Sequence, residues 1–190
     1  AYFEAWADHA PSGRERWFAG FTPRLLGYRE SVLGFRRDYP DGLLIACVRD
    51  PRSWYVSSSR HDAEYARVDH AMNLWRQSTT AALELLEHCP GSVFVTTYEA
   101  LTHETGTEMR RLAARLDIEF TPTLLEPTYL GRPILPNSSF AVAATGVSRH
   151  AKDSAAMLDP ATLATIETEG MALYREVVDR VVAQRTGEAT

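Results

Sequence analysis

Arg49, Ser53 and Ser57 are the residues of this chain whose types and spacing can do chemistry on an anion. The arginine closes an apolar run, Leu43 to Val48, and Asp50 and Pro51 follow it directly. A run that short without polar alternation reads as a strand covered on both faces, the pattern of parallel sheets. Arg49 then stands at the strand's carboxyl end, where open α/β sheets bind their ligands. Asp50 is an N-cap and Pro51 a first-turn proline, so a helix begins at that point. Its leading N–H groups and dipole favour a phosphate or sulfate, and a guanidinium can hold such a group through two parallel hydrogen bonds. Ser53 and Ser57, four apart on one helix face, add hydroxyl donors. Strand, Asp and Pro in that order are also ordinary punctuation between solvated arginines. The serines favour the site: Ser57, Ser58 and Ser59 are only fair helix formers, and a run of them early in a helix is better explained by ligand contact than by propensity.

Other elements must carry this segment. Tyr39-Pro40-Asp41-Gly42 is a turn sequence that delivers the chain into the strand. Ahead of it, Ala1 to Asp38 is rich in aromatic residues and arginines and reads as helices joined by turns at Pro11-Ser12-Gly13 and Thr22-Pro23. Between Arg67 and Glu87, Val68, Ala71, Met72, Trp75, Thr79, Leu83 and Leu86 recur at helical spacing, and Cys89-Pro90-Gly91 stops that long amphipathic helix. Ser92 to Tyr98 is a second strand, dense in β-branched and aromatic residues. Thr105 and Glu108 have capping-box spacing ahead of a helix carrying Met109, Leu112, Ala113 and Leu116. Phe120 to Thr145 shows no sustained period and reads as a functional or lid segment. Asp159-Pro160 opens a last helix that turns Leu163, Ile166, Leu173, Tyr174, Val177 and Val181 inward. Trp75 and Tyr174 lie on apolar helix faces and read as core. Strands alternating with helices imply one α/β domain with a parallel sheet.

The 190 residues suffice for one domain with a substantial core, and the net charge of −5 argues against a general nucleic-acid or anionic-membrane binder. A local basic pocket for one nucleotide is compatible with that charge. Cys47, inside the first strand, and Cys89, at a helix end, read as reduced core or boundary residues, which fits a reducing compartment such as the cytoplasm. No apolar run reaches the ~20 residues of a membrane span. The six histidines form no metal-binding pattern, and there is no cysteine pair at zinc spacing.

An arginine at a strand end with a serine eight positions later, here Arg49 and Ser57, is the 3′-phosphate motif of the sulfotransferases, and at this point the chain resembles that family. The resemblance continues through Val93-Phe94-Val95-Thr96-Thr97-Tyr98-Glu99-Ala100-Leu101, similar to a strand ending in a Tyr-Glu-x-Leu turn. It includes Met109 to Ile118, similar to a helix with a Leu-Gly-Ile-type end. It extends from Glu126-Pro127-Thr128 to Asn137-Ser138-Ser139-Phe140, similar to a region of bacterial members, and spans roughly residues 20 to 185. It implies a P-loop-NTPase-like three-layer sandwich with a parallel sheet, and a donor, 3′-phosphoadenosine 5′-phosphosulfate, used without a metal. The acceptor would be a hydroxyl or amine of a small molecule or glycan; an oligomer is compatible with the resemblance.

For the site, the resemblance implies phosphate contacts from Asn137, Ser138 and Ser139, adenine stacking on Phe140, and extra phosphate ligands in Arg132 and Arg149. Gly27-Tyr28-Arg29-Glu30 is similar to the family's segment upstream of the motif, which makes Arg29 a contact of the transferring group and Glu30 a base, with His61 as second choice. Thr22-Pro23-Arg24 is an alternative register for that segment. The family's glycine-rich 5′-phosphosulfate loop has no counterpart here. Ser12-Gly13-Arg14 is the early candidate, and no apolar strand precedes it. The chain therefore reads as the latter part of a longer protein, without the first strand and its loop, and as a poor catalyst by itself. A P-loop-type kinase and a nucleotide-binding module without turnover are the alternative readings.

Overall fold

Two strands form the sheet that carries the site: β1 (Leu44–Val48) and β2 (Val93–Thr97) pair in parallel, from Leu44 beside Val93 to Val48 beside Thr97. They belong to a computed structural model that describes residues 16–129, 132–134, 146–147 and 154–187. A 3-10 turn (Leu25–Gly27) and helix α1 (Arg29–Asp38) precede β1. The crossover from β1 to β2 consists of α2 (Pro51–His61) and α3 (Val68–His88). After β2 come α4 (Tyr98–His103), α5 (Thr105–Arg115), a short hairpin of β3 (Thr128–Tyr129) and β4 (Arg132–Pro133), and α6 (Pro160–Gly187). The result is a mixed α/β fold with a small parallel sheet and mostly helices. No described helix is long and apolar enough to cross a membrane.

Alternation along the strands decides which residues meet which layer. Leu44, Ala46 and Val48 share a face with Val93 and Val95, and pack with Met72, Trp75, Leu83 and Leu86 of α3 and Ile166, Val177 and Val181 of α6. On the opposite face α5 covers β2 alone. Arg111 lays its guanidinium 5.1 Å from the Phe94 ring, and Thr96 donates to Glu108. Among the described residues nothing equivalent covers β1 there, and Ile45 is 51 % exposed and Cys47 is exposed as well. The expectation of a strand covered on both faces is corrected for β1. An apolar run records that a strand tolerates burial, whereas the reach of the neighbouring helix decides whether it is buried.

The segment from Thr105 to Glu108 also differs from its capping-box pattern. Glu104 occupies the N-cap position without a side-chain cap, and Thr105 is already helical. Glu108 is 1 % exposed and lies between Arg111, at 3.0 Å, and Arg185 of α6, whose Nε donates at 2.8 Å. Two half-buried guanidiniums outcompete the single N–H that a capping carboxylate would reach. The Tyr-Glu-x-Leu segment is a short helix, α4, in place of the expected turn; Thr97 caps it by accepting from the Ala100 N–H.

The expected succession of helices before β1 is reduced, within residues 16–38, to the 3-10 turn and α1. Residues 16–22 lack helix and reach across to the end of α5, where Trp17 donates to the Leu116 carbonyl and Arg16 to the carbonyl and carboxylate of Asp117. Phe120 to Thr145, in its described part, holds a 3-10 turn (Pro122–Leu125) and the β3–β4 hairpin.

Helix α6 crosses the start of α2 at Gly170. A methyl group there would stand 2.7 Å from the Met72 Cε and 3.0 Å from the Pro51 Cβ, so only a hydrogen fits between α6 and the rigid proline ring. This contact presses α6 onto the residues that follow Arg49.

Two stability predictions follow from this packing. Gly170→Leu is expected to destabilise the fold by about 1 to 3 kcal/mol through overpacking, although leucine is the better helix former, and urea unfolding measures it. Glu108→Ala, which strands two guanidiniums, is expected to cost about 3 to 5 kcal/mol by the same measurement.

Candidate functional site

The site begins where the β1–β2 ladder ends. Beyond Val48 the backbone has no strand partner, and side chains take over its hydrogen bonds. The Trp75 indole N–H of α3 donates to the Arg49 carbonyl at 3.2 Å. The next N–H, that of Asp50, donates to Glu99 Oε1 of α4 at 3.2 Å. The other oxygen of Glu99 accepts from the Tyr174 hydroxyl of α6 at 2.7 Å. Burial, and then the Glu99 carboxylate, push the Tyr174 phenol far above its ordinary value, so it stays a donor at neutral pH. Three helices thus converge on one peptide unit.

Arg49 itself is half-buried, with its guanidinium carbon 4.4 Å from the centre of the Tyr98 ring. Its Nε is buried and has no hydrogen-bond partner among the described residues. A guanidinium held over a ring face, with a buried donor still unsatisfied, is arranged to receive an anion.

The helix start contributes differently from expectation. Asp50 Oδ1 accepts from the N–H groups of Arg52 and Ser53, and the Arg52 guanidinium closes on the same carboxylate, with Nη2 2.7 Å from Oδ2. Burial raises the Asp50 carboxyl, but the Arg52 guanidinium and the Ser53 and Arg52 amides outweigh it and hold the group below the ordinary carboxylate range. Its cap therefore contributes at neutral pH and is lost as pH falls below the usual carboxylate value through the lowered one. A charged carboxylate already occupies the first turn of α2. The expectation of free N–H groups in this turn is corrected, because Asp50 occupies them, and the Arg49 Nε is a buried donor left without a partner among the described residues.

Ser53 shares a hydrogen bond with Ser154, 3.0 Å away, which ties α2 to the segment entering α6. Ser57 is half-buried one turn later on that face. His61 is exposed in the last turn of α2, about 15 Å from Pro51 by helix rise. Arg29 and Glu30 are exposed in the first turn of α1. Just before them, Gly27 abuts Ser78 of α3 and Arg24 pairs with Glu64 and reaches Asp62, beyond the end of α2. The structure therefore brings Arg24 to the residues just past His61, at the end of α2, while Arg49 precedes its beginning. Of the two registers for the upstream segment, the Arg24 one has its cation engaged by carboxylates.

Arg132 is exposed on β4. Asn137, Ser138, Ser139, Phe140 and Arg149 lie outside the described residues. Among the described residues no His, Cys, Asp and Glu side chains group as metal ligands.

Trp75, Glu99 and Tyr174 are the residues that the sequence reading missed as parts of the site. The signal was present in part, since a tryptophan or tyrosine on an apolar helix face needs a partner for its polar tip when buried. Which partner it meets depends on the fold.

A family profile described as the Sulfotransferase family matches residues 1–122, which include β1, α2 and Glu99. Neither the curated proteins nor the solved structures compared with the chain give a match.

Removing the guanidinium tests the anion site directly. Arg49→Ala is expected to weaken binding of adenosine 3′,5′-bisphosphate by roughly 2 to 5 kcal/mol, and Ser57→Ala by about 0.5 to 1.5 kcal/mol. Titration calorimetry on variants shown to be folded by circular dichroism reads both, and unchanged affinity in Arg49→Ala removes the anion site.

Proposed function

We propose that this chain, which belongs to the sulfotransferase family, moves a sulfuryl group in line from 3′-phosphoadenosine 5′-phosphosulfate to a hydroxyl or amine of a small molecule or glycan. The observation that carries the donor assignment is Arg49, a strand-end guanidinium stacked on Tyr98 with its Nε buried and unsatisfied. A doubly charged phosphate matches that donor set, because a guanidinium binds phosphate oxygens through charge-assisted hydrogen bonds of fixed direction. Ser57 adds a hydroxyl on the helix that follows. Asn137, Ser138, Ser139, Phe140 and Arg149 would complete the nucleotide contacts.

Sulfuryl transfer needs little covalent chemistry from the protein. The acceptor must lose a proton, and charge on the moving group and on its leaving phosphate must be balanced. In this reading Arg29 faces the moving group and Glu30 takes the acceptor's proton, with His61 as the other candidate base. Arg24, at the start of that segment, reaches Asp62 and Glu64 just past the His61 end of α2, whereas Arg49 precedes its beginning, and this supports such a division. The donor's 3′-phosphate and its sulfuryl group sit on opposite sides of the ribose and require separate subsites.

The base assignment has a kinetic consequence. Glu30→Gln is expected to lower kcat by about 10²- to 10⁴-fold with little change in the dissociation constant for adenosine 3′,5′-bisphosphate, because a base acts in the transition state. Steady-state rates and calorimetry on the same preparation separate the two quantities. Wild-type kcat in this variant would move the base to His61 or to another residue.

A further inference from the structure

The Arg49 carbonyl and the Asp50 N–H are the two ends of one peptide plane, and each is held by a side chain from a different helix. Trp75 donates to the oxygen and Glu99 accepts from the nitrogen. A peptide gripped at one end can rotate about the neighbouring ψ and φ angles, whereas gripped at both ends it cannot. Arg49 is the residue whose side chain leaves the backbone beside this plane, so the plane's orientation sets where the guanidinium lies.

Glu99 is itself held. It has two oxygens, and if only Oε1 were engaged the carboxylate would be free to turn about its terminal torsion, which is broad for this side chain. Tyr174 removes that freedom by donating to Oε2 at 2.7 Å. Tyr98, next to Glu99 and in the same short helix, carries the ring beneath the Arg49 guanidinium at 4.4 Å. A carboxylate that locks α4 therefore locks the backbone beside Arg49 and the surface under its side chain together. Tyr174 is 75 residues from Glu99 along the chain and reaches it only because α6 packs across the beginning of α2 at Gly170.

We infer that Glu99 and Tyr174 are positioning residues, which aim Arg49 at the 3′-phosphate of the donor without touching it. This rests on the donor reading given above. In the structure the last helix is consequently part of the phosphate site, although none of the residues proposed as ligands lies on it.

Two readouts test the inference on the full chain. The first needs no ligand: nitrogen-15 NMR of the Arg49 Nε–H, whose proton the Tyr98 ring shifts upfield. In Tyr174→Phe, which keeps the packed ring and removes only the hydroxyl, that shift is expected to fall toward the value of an unstacked arginine. The second is the affinity for adenosine 3′,5′-bisphosphate at a temperature where every variant is fully folded. Tyr174→Phe and Glu99→Leu are expected to bind about 3- to 10-fold more weakly, the scale of one lost hydrogen bond. Glu99→Gln, whose amide oxygen still accepts from the Asp50 N–H, is expected to recover most of the affinity lost in Glu99→Leu.

A purely structural role would lower the melting temperature and leave the Arg49 signal and the dissociation constant in place, and that result overturns the inference. If Arg49→Ala abolishes nucleotide binding while Tyr174→Phe leaves both readouts at their wild-type values, the donor reading stands and the positioning role falls. If Arg49→Ala binds normally, the donor reading falls, and a Tyr174→Phe signal that stays stacked overturns the positioning role as well.

Discussion

A strand that outruns its ladder must find other partners for its backbone, and in this protein that need arises at the peptide between Arg49 and Asp50. Trp75 and Glu99 answer it from opposite sides. Because those residues belong to α3 and α4, satisfying one peptide unit also fixes where the two helices meet the end of the sheet. Tyr174 extends the same network to α6. Buried backbone groups left without partners cost about as much as a lost hydrogen bond or more, so the convergence is a condition of the fold as well as of the site.

Among the described residues several arginines face a carboxylate, whereas Arg49, like Arg110 over Phe120, lies on an aromatic ring. Arg52 faces Asp50, Arg24 faces Glu64, and Arg111 and Arg185 face Glu108. Each has its field balanced by a carboxylate. Arg49 lies instead over the ring of Tyr98. A ring face attracts a guanidinium by about 0.5 to 2 kcal/mol and leaves its N–H edge unoccupied, whereas a carboxylate would fill that edge. Asp50 sharpens the contrast. By capping α2 with its own charge it occupies the leading N–H groups of the helix, whereas the Arg49 Nε is left without a partner among the described residues.

Packing explains why these groups can be held closely. The Gly170 contact allows α6 to lie against Pro51, and a proline in the first turn of α2 is rigid enough to transmit that contact to the Arg49–Asp50 peptide. At the other edge of the sheet, α5 is fastened to α6 through the buried Glu108 and covers β2 only. Among the described residues the face of β1 with Ile45 and Cys47 is left uncovered by that limited reach.

The local elements of the site were legible in the sequence because each is written in adjacent residues. The apolar run to Val48, the Asp50-Pro51 helix start, the long periodic helix around Trp75 and the β-branched strand before Tyr98 depend on short-range propensity and on patterns of two or 3.6 residues. Glu99 and Glu108 were not legible in the same way. Each is a glutamate at a helix start, with the same local expectation of capping or solvation, and each was recruited by partners dozens of residues away: Asp50 and Tyr174 for one, Arg185 for the other. A sequence determines which side chains carry charge and which backbone groups lack a partner. Only the tertiary structure decides which of them meet, because that choice is made by packing across long chain separations, where no local spacing leaves a trace.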